Sequence, residues 1–324
     1  MHMWQALILG ALQGVAELFP VSSLAQTILI PALLGWNFGP DLRERPDFLA
    51  FVVALHLATA VALFIYFWKD WREVVAAFIG SAKKGKLIYD EPSKFAWLLI
   101  AGTVVVGLMG LVFEKKLRQL FEDPSKSWIV AAVLALNGFG MLMADVVKRR
   151  ASEREKVPVS APSPGGDQAE QMAATEAGQA IEDDESDPAE DAPDQRRNVE
   201  DLTLIEGASI GATQTLALVP GISRSGVTIS AGLLAGLSYE QATRFSFMLA
   251  TPIIGLAAAL KVPTLFKPGA RHMLAMTALS ALVAGICAYL STKFLMGYFR
   301  HHRLAPFGWY CIIFGLFALV MLRR

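Results

Sequence analysis

Charge is scarce in this chain of 324 residues, at 18% of positions, and cysteine is scarcer still, with only two. Cys287 and Cys311 lie in apolar runs away from any cluster of His, Asp or Glu. That excludes a disulfide scaffold and a cysteine-based metal or redox centre, and leaves both thiols as apolar filler. The first thirty residues lack a basic leader and a small-residue cleavage site, and Gln13, Glu17, Ser22 and Ser23 interrupt their apolar run. No removable secretory signal is expected. Basic and acidic residues balance at 29 each, but unevenly: residues 151–201 hold 15 of the carboxylates and 4 basic groups, so the remainder carries 25 basic against 14 acidic residues. That basic excess is scattered through loops and forms no single stripe, so nucleic acid is excluded as a partner. With 54% apolar residues, a soluble globular enzyme is excluded as well. The chain reads as an integral membrane protein with a polar insert, its first partner being the lipid bilayer.

A helix needs about 20 apolar residues to cross a bilayer. Segments of that kind fall at about 48–68, 95–113, 127–147, 243–261, 272–292 and 304–322, which predicts six spans. Two further apolar stretches, 4–36 and 202–237, are broken by Pro20 and by Pro220-Gly221. Each half is roughly fifteen residues, too short to cross at 1.5 Å per residue, so both read as re-entrant helical hairpins. Trp4 and Trp36 suit a shared interface. The expected fold is therefore an all-α integral membrane protein with an inverted-topology repeat. Each half is a hairpin plus three spans, over residues 1–150 and 202–324. In such folds broken helices meet near the midplane and form the site, so the two proline turns should approach each other.

Between the halves, residues 151–201 are rich in Ala, Glu, Asp, Pro, Ser and Gly and include the acidic run Glu182 to Asp187. Too little apolar surface is present to offset chain entropy, and a disordered acidic linker is expected. Lys69, Arg72, Lys83, Lys84, Lys148, Arg149, Arg150, Arg300 and Arg303 would collect on one face. By the positive-inside rule that face is cytoplasmic, with the linker inside and the termini outside.

Polar residues cluster at the two breaks. Gln13 and Glu17 lie four apart and share a helical face; a carboxylate at membrane depth is costly unless it has a task. The second break reads Val219-Pro-Gly-Ile-Ser-Arg-Ser-Gly-Val-Thr228. Hydroxyls and one arginine at a helix start suit phosphate, which accepts from backbone amides and from a bidentate guanidinium. Together the turns hold the parts of phosphoryl transfer: a nucleophile, a proton acceptor or metal ligand, and a cationic anchor. A pocket open sideways to lipid would admit a phosphate on a long hydrocarbon.

The segments Gln13-Gly-Val-Ala-Glu-Leu-Phe-Pro-Val-Ser-Ser23 and Gln214-Thr-Leu-Ala-Leu-Val-Pro-Gly-Ile-Ser-Arg-Ser-Gly-Val-Thr228 resemble the two signature motifs of the bacitracin-resistance type undecaprenyl-pyrophosphate phosphatases. The likeness extends to Ala242-Thr-Arg-Phe-Ser-Phe-Met-Leu-Ala-Thr-Pro252 and covers nearly everything but the insert. What the resemblance implies is an enzyme of the bacterial inner membrane that hydrolyses a polyprenyl diphosphate to regenerate the lipid carrier for cell-wall polymers. It implies catalytic roles for Glu17, Gln13, Ser23 and Arg224, with Ser23 or an activated water attacking. Ser22, Ser223, Ser225 and Thr228 fall on the family's phosphate-binding hydroxyls. A divalent cation, Mg or Ca, is implied too, with Glu17 as its candidate ligand, and an oligomer is compatible with the pattern.

One departure is chemical. Gln26 occupies the position of a family histidine, and an amide can hydrogen-bond phosphate but cannot take up and return a proton near neutral pH. Either Glu17 serves as base or the chain binds or flips polyprenyl phosphate without hydrolysing it. His56, alone on an apolar span, reads first as a satisfied interior group and second as a substitute base.

Overall fold

The computed structural model describes residues 1–36, 46–121, 126–155, 197–261 and 274–323. Most of the acidic segment, and with it the expected disorder, lies outside these residues. Helices account for the described architecture, and no β-strand occurs among the described residues.

The first break separates α1 (Met3–Ala16) from α2 (Ser23–Leu33). Next come α3 (Pro46–Tyr66) and α4 (Trp68–Lys84), bent by 82° from one another. The long helices α5 (Glu91–Phe121) and α6 (Ser127–Glu155) complete the first half. Beyond the insert, α7 (Leu204–Thr213) runs into a 3-10 turn at Gln214–Leu218 and is followed by α8 (Arg224–Leu234). The chain ends with α9 (Tyr239–Lys261), α10 (Leu274–His301) and α11 (Ala305–Leu322). Five helices are long and apolar enough to cross a membrane, or six if the bent pair α3–α4 counts as one, while α1 and α2 are apolar but short. The chain is a multi-pass membrane protein.

Helix α4 was not anticipated. It opens on Lys69, Asp70, Arg72 and Glu73 and closes on Lys83 and Lys84, capped by Gly85 in the left-handed region (φ 62). Basic residues in a last turn complement the helix dipole, and a helix charged on one side and apolar on the other suits the membrane–water boundary. Its charge density had hidden it, because a search for uncharged runs passes over such a segment.

Small residues set the spacing of the bundle. A Cβ on Gly138 of α6 would stand 2.8 Å from the Cys311 Cβ of α11, and one on Gly14 of α1 would stand 2.8 Å from the Cys287 Cβ of α10. Without a hydrophobic drive between helices in lipid, such close approach supplies the dispersion contact that holds them.

The insert is shorter at both ends than its composition suggests, because α6 continues to Glu155 and a 3-10 turn forms at Val199–Asp201. Composition misses this because single anchoring contacts order the flank. The Arg197 guanidinium binds Glu206 at 2.8 Å and the Ala235 carbonyl at 3.0 Å, and Lys148 donates to the Gly236 carbonyl at 3.0 Å. On the same rim Arg244 pairs with Asp70 and stands 3.9 Å from Glu200, and Arg300 pairs with Glu240 at 2.9 Å.

Candidate active site

Sequence dictates where each helix stops. The α1 helix ends at Glu17, its C-cap, and the chain then turns through Pro20. Ser22 adopts φ 62, the one positive φ at a non-glycine position among the described residues, and its Oγ caps α2 by accepting from the Ala25 amide at 3.4 Å. A non-glycine residue there costs of order 1 kcal/mol and is held by its surroundings. Ser23 becomes the first residue of α2 and faces back toward Glu17. In the second break Gly221 has φ 110, and a Cβ there would lie 2.8 Å from the Val130 carbonyl oxygen. Ser223 caps α8 by accepting from the Gly226 amide at 3.1 Å, which makes Arg224 the first helical residue.

These two turns meet. Arg224 Nη2 lies 2.5 Å from Glu17 Oε1, and the Ser225 hydroxyl donates to the Phe19 carbonyl at 3.3 Å. Glu17 Oε2 accepts from Gln13 Nε2 at 2.9 Å and from the Ser23 hydroxyl at 2.5 Å. Side-chain exposure is 7% for Glu17 and 17% for Arg224. Each charge sits at the unfavourable end of its helix, an anion at the C-terminus of α1 and a cation at the N-terminus of α8, which costs each about 0.3–1 kcal/mol. The pair offsets that cost by mutual contact, and an arriving anion would find a guanidinium and a helix start already aligned.

Gln13, Glu17, Ser23 and Arg224 thus form one constellation, and the remaining candidates make other contacts nearby. Ser223 and Ser225 share a hydrogen bond of 3.1 Å within the second turn. Thr228 Oγ1 donates to the Arg224 carbonyl at 2.8 Å. Gln26 turns away from Glu17: its Nε2 donates to the Val21 carbonyl at 3.1 Å, and its Oε1 accepts from the Tyr310 hydroxyl at 3.1 Å.

Three side chains that sequence reasoning passed over hold the turns in place. Asn137 Oδ1 on α6 accepts from the Ser223 amide at 3.0 Å. Its Nδ2 lies 3.8 Å from Cys311 Sγ, and that thiol in turn reaches the Pro20 carbonyl at 3.6 Å. Cys311 is therefore a bridging donor and not merely filler. A lone amide in an apolar span was a signal for Asn137; nothing local marked Cys311 or Tyr310.

The donor set does not fit a protein-held divalent cation. Both Glu17 oxygens already accept from protein donors, and among the described residues no three His, Cys, Asp or Glu side chains converge.

Broken helices that carry a buried carboxylate and guanidinium into the heart of an apolar bundle define a polytopic membrane protein with an embedded polar site. The chain belongs to the bacitracin resistance protein BacA family, whose family model matches residues 6–317. An undecaprenyl-diphosphatase of Mycolicibacterium paratuberculosis is 40% identical over 321 residues, covering 98% of this chain and 96% of the relative. Proteins called undecaprenyl-diphosphatase 2 from Frankia alni and Chromobacterium violaceum are 39% and 38% identical, covering 98% and 99% of this chain and 96% and 99% of their own lengths.

Proposed function

We propose that this chain hydrolyses undecaprenyl diphosphate to undecaprenyl phosphate and inorganic phosphate in the bacterial plasma membrane, returning the lipid carrier to cell-wall polymer synthesis. The observation that carries the reading is the double engagement of Glu17, by the Ser23 hydroxyl at one oxygen and by Arg224 at the other. The terminal phosphate takes the Arg224 guanidinium and the first turns of α2 and α8, a bidentate and dipole-assisted anchor. Ser23 gives its proton to Glu17 as Oγ–P forms and the anhydride P–O bond breaks, its electron pair leaving on the lipid phosphate. Water then cleaves the Oγ–P bond, and Ser23 recovers a proton. Gln13 orients the carboxylate throughout.

The inverted repeat fits the same picture. Contact between α1 and α10 is matched by contact between α7 and α5, their counterparts if the halves are related by a two-fold in the membrane plane, and α6 meets α11 across that axis. The basic groups on the rim beside the insert support a cytoplasmic insert and external termini. The shared name of the relatives favours hydrolysis over the binding or flipping alternative.

Phosphate release from a polyprenyl diphosphate by the purified chain tests the reading. Arg224→Ala and Glu17→Ala should each lose about 100- to 1,000-fold in kcat, the usual consequence of removing one preorganised electrostatic group. Folded variants that keep most of the turnover would end it.

A further inference from the structure

The site described so far has a proton acceptor but no carrier that both takes up and returns protons near neutral pH. Glu17 receives the Ser23 hydrogen bond while both of its oxygens are engaged by donors. Where the family resemblance implies a histidine the chain holds Gln26, and both ends of that amide are occupied at Val21 and Tyr310, away from the carboxylate.

His56 meets the need from a different helix. It projects from the middle of α3, and its Nε2 stands 3.8 Å from Glu17 Oε2, the oxygen that also accepts from Ser23. The other ring nitrogen, Nδ1, is 2.9 Å from the Val52 carbonyl oxygen. A carbonyl only accepts, so Nδ1 carries the hydrogen in the neutral and the charged ring alike. The exchangeable position is therefore Nε2, the nitrogen turned toward Glu17. At 36% side-chain exposure the ring also touches space that the 7% exposed carboxylate does not. Among the described residues no other histidine has a recorded contact with Glu17.

We infer that His56 is the proton relay of this site, working through Glu17 and standing in for the absent histidine; the inference rests on the hydrolytic reading above. As Ser23 Oγ bonds to phosphorus, its proton moves to Glu17 Oε2 and on to neutral His56 Nε2, across one bridging water or a small swing of the ring. The imidazolium hands that proton to the departing lipid phosphate or to solvent. When water cleaves the phosphoserine, one water proton passes to His56 by the same path and returns through Glu17 to the leaving Ser23 Oγ, so the imidazole ends neutral. The carboxylate thus ends each cycle ionised and again paired with Arg224.

The test uses the full-length protein in detergent with a polyprenyl diphosphate, scored by phosphate release. His56→Ala should lower kcat about 100-fold, within the span for a positioned acid–base group, and leave KM nearly unchanged. Added imidazole should restore a substantial part of that loss in His56→Ala and none in Glu17→Gln. His56→Gln preserves a donor for the Val52 carbonyl but cannot cycle a proton, so it should stay as slow as His56→Ala. A His56→Ala enzyme within about threefold of wild type overturns the inference. A deficit untouched by imidazole, or one cured by His56→Gln, overturns it as well, because either would show a packing role. Ser23→Ala and Arg224→Ala run beside these keep the two readings apart: if they stay active the hydrolytic site itself is misplaced, whereas if they are dead and His56→Ala is not, the relay alone falls.

Discussion

Separating Glu17 from Arg224 should damage the fold unequally, and the inequality can be worked from their contacts. Removing one partner of a buried ion pair typically costs about 3–5 kcal/mol, because the survivor is left charged and unpaired. If Arg224 becomes Gln, Glu17 still accepts from Gln13 at 2.9 Å and Ser23 at 2.5 Å, so the loss should sit near the lower end, about 3 kcal/mol. If Glu17 becomes Gln, Arg224 loses the one side-chain acceptor recorded for it among the described residues, and the loss should approach about 5 kcal/mol. The double substitution removes both charges, so it should cost less than the sum of the single changes by about 2–3 kcal/mol, a coupling at the upper end for contacting residues. Equilibrium unfolding in mixed micelles, followed by tryptophan fluorescence, gives the three values. Equal single losses that simply add in the double variant would refute this account of the pair.

Three further outcomes follow from neighbouring contacts. Asn137→Leu should destabilise by about 1–3 kcal/mol, the cost of orphaning the buried Ser223 amide, and should lower kcat more than it raises KM, since Arg224 stands next to that amide; unfolding and phosphate-release measurements on one preparation check both. Gln26→His should leave kcat within about threefold of wild type, because the side chain at that position is directed to Val21 and Tyr310 and not to Glu17; a large gain in turnover would contradict it. At the insert's flank, the Arg197 guanidinium, together with the Thr203 amide and hydroxyl, holds the Glu206 carboxyl down at about 2 against an ordinary 4.5. A depressed folded value gives stability that is complete above the ordinary value and is lost as pH falls from about 4.5 toward about 2. Melting curves of the wild type and Glu206→Gln should therefore differ at pH 6 and converge near pH 2, by a modest amount because the pair is solvent-exposed.

Much of this arrangement was legible in the linear sequence, for identifiable reasons. Hydropathy runs locate spans because the bilayer imposes a minimum length; α5, α6 and α9 contain the segments expected of them, and α10 and α11 cover most of theirs. Proline breaks in otherwise apolar stretches locate the turns, and a four-residue step puts Gln13 and Glu17 on one face, where the two side chains bond. What the sequence withheld depends on direction and on partners far along the chain. The alignment of Gln26 with a histidine says nothing about where the side chain points, which is toward Tyr310, 284 positions away. His56 looked like an isolated polar residue until α1 was placed beside α3. The segment that became α4 carried too many charges to register as membrane-associated, although its pattern is amphipathic.

The two edges of the acidic insert grip one small target. Lys148, near the end of α6, and Arg197, at the start of the second half, bind the adjacent carbonyls of Gly236 and Ala235 just past α8. With both ends pinned side by side, the distance that any joining sequence must span is set by these two anchors and not by its own length. Evolution, or an engineer, can therefore change the length of the joining sequence, or splice a reporter module into it, while Lys148 and Arg197 keep their grip on that one corner.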